Sequence, residues 1–102
     1  MSSKATIEVN VVETNQGYAF DVIVREGKGE TRHRVTLTEE DLRRFGGGKV
    51  EPAALVRESF RFLLEREPKE SILGRFELPV IARYFPEYPR EILVRLGGGG
   101  RR

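Results

Sequence analysis

Acyl-transfer chemistry needs a nucleophile, an imidazole base and a carboxylate brought together, and this chain has one histidine, His33, and two aspartates, Asp21 and Asp41. His33 alternates in register with Val35 and Leu37, the period-2 pattern of an inward or edge-facing strand histidine. Cysteine is absent, so thiolate metal sites and disulfides are excluded. Glu39, Glu40 and Asp41 are consecutive and cannot share one helical face; they read as first-turn partners of a helix dipole. No spacing among the glutamates singles out the paired carboxylates of a glycosidase. Gly46-Gly47-Gly48-Lys49 invites a phosphate-loop reading, but that loop needs a glycine where Arg43 stands and a Ser or Thr where Val50 stands. The expectation is a protein with no catalytic residues, no metal and no cofactor.

Recognition chemistry is better represented. Arg32, Arg34 and Thr36 alternate with the apolar row of their strand and form its outward face. Arginine donates to guanine edges and threonine to phosphate or base, so these residues, with Lys49, Arg57 and Arg61, are the candidate nucleic-acid contacts. Residues 31–67 resemble a ribbon-helix-helix DNA-binding unit, in which a strand with outward polar side chains pairs with its copy in a dimer and enters the major groove. In that resemblance residues 38–45 stand for the first helix and residues 52–67 for the second. The chain departs from the family in a shorter first helix, an all-glycine connector and a strand that already has a partner within the chain. The competing reading is a solvated sheet face on which Arg32 and Arg34 pair with Asp21, Glu26 or other acids.

Arg75-Phe76, Arg83-Tyr84-Phe85 and Tyr88-Pro89-Arg90 interleave arginine with aromatics, a composition suited to stacking on bases or anchoring a protein interface. Arg83, Tyr84, Phe85, Tyr88 and Arg90 are therefore the candidate protein-interface residues, and core packing is the competing account of the same rings. Residues 76–88 resemble a family of short uncharacterised bacterial proteins; the resemblance implies no function. The leading expectation is a non-catalytic interaction module with a protein partner or a second copy, and the alternative is a nucleic-acid binder.

Three segments must position these groups. Ile7, Val9 and Val11 form one face of a strand at 6–13; Tyr18, Phe20, Val22 and Val24 form that of a second; His33, Val35 and Leu37 that of a third. Short turns at Thr14–Gly17 and Gly27–Gly29 join them into an antiparallel meander. Thr38 followed by three acids predicts an N-cap and a short helix to Phe45, stopped by Gly46–Gly48. Pro52 suits the first position of the main amphipathic helix, residues 52–67, with Val56, Phe60, Leu63 and Leu64 on one face. Pro68, Pro79, Pro86 and Pro89 punctuate the remainder into expected helices at 69–75, 79–85 and 89–96.

The expected fold is therefore α+β: a three-stranded antiparallel β-meander, a short helix, one main amphipathic helix packed on the sheet, and short proline-initiated C-terminal helices. A length of 102 residues fits a single domain, residues 1–96, with 97–102 as a flexible Gly/Arg tail. Without Arg101 and Arg102 the 18 basic residues fall to match the 16 acidic ones, so polyanion binding requires a local patch. The N-terminus lacks the apolar run of a signal peptide and no segment approaches the ~20 apolar residues of a membrane span. A soluble, cytoplasmic protein that does not engage membranes is the expectation.

Overall fold

The computed structural model describes residues 5–97 apart from 13, 15 and 48. Strands β1 (Thr6–Val12), β2 (Tyr18–Glu26) and β3 (Gly29–Leu37) form the expected antiparallel meander, with Val9 opposite Val22 and Val22 opposite His33. Gly17 turns between the first two strands at φ 66°, and a Cβ there would stand 2.6 Å from the Leu37 carbonyl oxygen. Only a residue without a side chain fits that approach.

Helix α1 (Glu39–Gly46) begins at a reciprocal capping box: Thr38 Oγ1 accepts from the Asp41 N–H, and the Asp41 carboxylate accepts from the Thr38 N–H, both at 3.0 Å. Gly47 ends it in the left-handed region at φ 81°. Helix α2 (Pro52–Leu64) starts on Pro52 and buries Leu55, Val56, Ser59, Phe60, Phe62 and Leu63. It stops three residues short of the expected end, in a turn where the Arg66 and Glu67 N–H groups both donate to the Leu63 carbonyl.

The segment after α2 departs most from expectation. In place of a helix at 69–75 there is a 3-10 turn (Lys69–Ser71) followed by a fourth strand, β4 (Arg75–Glu77). β4 runs parallel to β3, with Val35 opposite Phe76, so the sheet is mixed and four-stranded in the order β1-β2-β3-β4. Three residues are too few to display a period-2 pattern, and the pairing that defines them is made with a strand distant in the chain. Helices α3 (Val80–Tyr84) and α4 (Tyr88–Arg95) follow close to their expected places. The expected tail beyond Gly97 lies outside the described residues.

The helices cover one face of the sheet. Phe20, Val22, Val24, Val35 and Leu37 meet Leu55, Val56, Phe60 and Leu63 there, and Phe45, Tyr88 and Ile92 complete the core. The other face is open and carries Glu8, Asp21, Arg25, Arg32, Arg34 and Thr36.

Candidate functional site

His33 belongs to the helix-covered face and is 4% exposed. Its Nδ1 lies 2.8 Å from the Leu73 carbonyl oxygen, which can only accept, so Nδ1 carries the proton; Nε2 lies 2.9 Å from Thr31 Oγ1. With both nitrogens engaged and the Phe60 ring tilted against it at 5.3 Å, the ring is a tie between β3 and the segment leading into β4. Lys69, at the other end of the same segment, is buried: its ammonium lies 2.8 Å from Glu70 and 4.0 Å from Glu26 of β2, and Gly29 leaves the room in which it sits.

A groove of about 390 Å³ lies between the end of α2, the approach to β4 and α3. Leu63, Ile72, Phe76, Val80, Ile81 and Phe85 supply apolar walls, and Leu73 and Tyr84 stand at its rim 46% and 66% exposed. Glu67 is the one charged residue lining it. Its half-buried carboxylate takes part in no ion pair or hydrogen bond among the described residues.

Of the candidate interface residues, Arg83, Tyr84 and Arg90 are exposed and Phe85 is half-buried in the groove wall. Tyr88 is corrected: it is fully buried, with its ring against Phe45 and Phe62 and its hydroxyl 2.6 Å from Ser59 Oγ. It is a core residue because it opens α4 at the place where that helix meets Phe45 of α1 and Phe62 of α2. Burial also pushes the Tyr88 phenol well above its ordinary pKa. Tyr84, Phe85 and Tyr88 therefore do not form one exposed aromatic surface.

The candidate nucleic-acid contacts divide between two sides of the molecule. Arg32, Arg34 and Thr36 lie on the open sheet face, whereas Lys49, Arg57 and Arg61 belong to α2 and the connector before it, across the sheet. On the open face Arg34 bonds Asp21, and Arg32 bonds Glu30 at 3.1 Å. The Asp21 carboxylate holds the Arg34 guanidinium above its ordinary pKa. Arg75, which sequence reasoning did not include, is the register neighbour of Arg34 and joins Arg32, Arg34, Asp21 and Ile23 around a shallow hollow of about 210 Å³. Its only sequence signal was its place beside Phe76.

Over residues 34–36, β3 is hydrogen-bonded to β2 on one side and β4 on the other, so pairing with a second copy would require displacing β4. Among the described residues no group of three or more His, Cys, Asp or Glu could hold a metal ion, and no helix is long and apolar enough to cross a membrane. Compared with known proteins, the chain matches no protein-family model, no curated protein and no solved structure.

Proposed function

We propose that the protein is a non-catalytic interaction module that takes an apolar side chain of a protein partner into the groove between α2, β4 and α3. The observation that carries the reading is an apolar groove of about 390 Å³ with Leu73 and Tyr84 left in water at its rim. Exposed apolar groups beside a concave apolar surface gain free energy when a partner covers them, on the order of 25 cal/mol per Å² of surface removed from water. The commitment of both His33 nitrogens to Leu73 and Thr31 further supports a binding role over an acid–base one.

The test uses the full chain as bait for short linear peptides displayed on phage. Selected peptides are expected to bind the wild type, to shift the amides of Leu73, Phe76 and Tyr84, and to lose at least about tenfold in affinity to Tyr84→Lys and to Leu73→Asp. Both positions are exposed, so the variants keep the wild-type thermal midpoint. Undiminished binding to both variants overturns the reading.

A second reading, a nucleic-acid binder, is favoured by one observation. Arg34 and Arg75 are side by side in register, Arg32 lies on the next row, and Arg75 has no ion-pair partner among the described residues. Adjacent like charges on a sheet repel, and a bound phosphate would relieve that repulsion.

A further inference from the structure

β4 lies at the edge of the sheet, and its register determines which of its main-chain groups are used. The Arg34 N–H donates to the Gly74 carbonyl and the Leu78 N–H to the Thr36 carbonyl, each at 2.8 Å. With Val35 opposite Phe76, this pattern turns the N–H and C=O of Phe76 toward β3. The N–H and C=O of Arg75 and Glu77 consequently point away from the sheet. Gly74, Arg75 and Glu77 are exposed, a Cβ built on Gly74 would meet nothing within 4 Å, and among the described residues no strand lies beyond β4 in the sheet.

Three features converge here: two outward donors and two outward acceptors, an apolar groove lined by the central residue of the same strand, and the unpartnered Glu67 carboxylate in that groove. We infer that the partner is an extended peptide segment that adds to β4 as a fifth strand, lays an apolar side chain into the groove and sets a Lys or Arg beside Glu67. The inference rests on the groove being a protein-binding surface and adds how it is read. Main-chain hydrogen bonds to Arg75 and Glu77 hold the segment, and alternate side chains reach the groove because strand neighbours point to opposite faces. A helical ligand presents no free N–H or C=O groups to that edge. The charge on Glu67 selects against an acidic segment.

Glu77→Pro isolates the strand pairing. The ring removes the outward N–H of residue 77 and leaves the β3 ladder intact, since Phe76 and Leu78 supply its donors; Phe76 is already extended, as a residue before proline must be. Peptides selected on the full chain from a displayed library of short linear sequences are expected to alternate apolar and polar residues and to carry a Lys or Arg. A synthetic copy of one such peptide should lose about tenfold or more in affinity to Glu77→Pro and about threefold to Glu67→Gln. Binding should also slow hydrogen exchange at the Arg75 and Glu77 amides.

If Tyr84→Lys abolishes binding while Glu77→Pro leaves it unchanged, the groove is used without strand addition, and this inference fails while the interaction reading stands. If neither variant matters, both fail. A consensus with apolar residues three and four apart, or exchange protection at β1, the sheet's other edge, overturns it. So does a concentration-dependent dimer of the wild type that Glu77→Pro dissociates, because a second copy is then the occupant.

Discussion

Ser59 directs its hydroxyl proton to the Leu55 carbonyl at 2.7 Å, so the Tyr88 hydroxyl, 2.6 Å away, donates to Ser59 Oγ. Both side chains are fully buried, and this polarity makes the two single deletions unequal. Tyr88→Phe leaves Ser59 with its donor still used and is expected to cost about 1 kcal/mol. Ser59→Ala strands the Tyr88 O–H in the core with no acceptor and is expected to cost about 1–3 kcal/mol more than a neutral change. Denaturant unfolding of both variants checks the order; a larger loss in Tyr88→Phe contradicts the assigned proton direction. Of these two residues the sequence revealed little, because Tyr88 sits in an Arg-aromatic stretch whose composition is the same whether the ring faces a partner or the core. His33 was more legible, since its place in an alternating row already marked it as a structural histidine, inward or at the strand edge.

Between elements, the ends of α2 and α4 are joined by charge laid over an aromatic ring. Arg95 reaches Glu65 at 2.5 Å, Arg66 reaches Glu87 at 3.0 Å, and the Arg66 guanidinium lies 3.7 Å from the centre of the Phe62 ring. The Arg95 hydrogen bond holds the Glu65 carboxyl below the usual carboxylate range. A carboxylate whose pKa is lowered by folding adds stability above its unfolded value of about 4.3, and that contribution is lost as pH falls through the lowered one. The thermal midpoint of Arg95→Gln should thus lie below that of the wild type at neutral pH, with the gap narrowing once pH drops under about 4. A gap that is the same at every pH would assign Arg95 to packing over Phe62 alone. The helices in this pair were readable from proline placement and apolar spacing. β4 was not, because Gly74 and a three-residue strand leave no local signature, and the hydrogen bonds that create it come from β3.

Across the whole molecule, charge is nearly balanced in number but not in position. Arg32, Arg34 and Arg75 lie on the open sheet face, and Lys49, Arg57 and Arg61 lie beyond the helices on the other side, so the six cannot contact one polyanion surface together. Any nucleic-acid affinity would come from the sheet cluster. Affinity for mixed-sequence DNA or RNA should then fall steeply with salt, and Arg75→Gln should make the dependence shallower by about one counterion. An absence of binding to either polymer at low salt removes the nucleic-acid reading. The α+β class and the meander were evident from alternation, but the fourth strand and the place of Arg75 beside Arg34 exist only once the chain has closed on itself.

That closure has a bearing on when the protein can act. β3 and β4 are separated in the chain by α1, α2 and the 3-10 turn, so their parallel ladder forms only after this intervening half has docked. In a chain whose C-terminal half has come loose, β4 is absent and the Arg34 N–H and Thr36 carbonyl of β3 lose their partners, so the edge offered is that of β3, without the groove beside it. If a partner adds to β4 as inferred above, its capture is conditional on completed assembly of both halves of the chain.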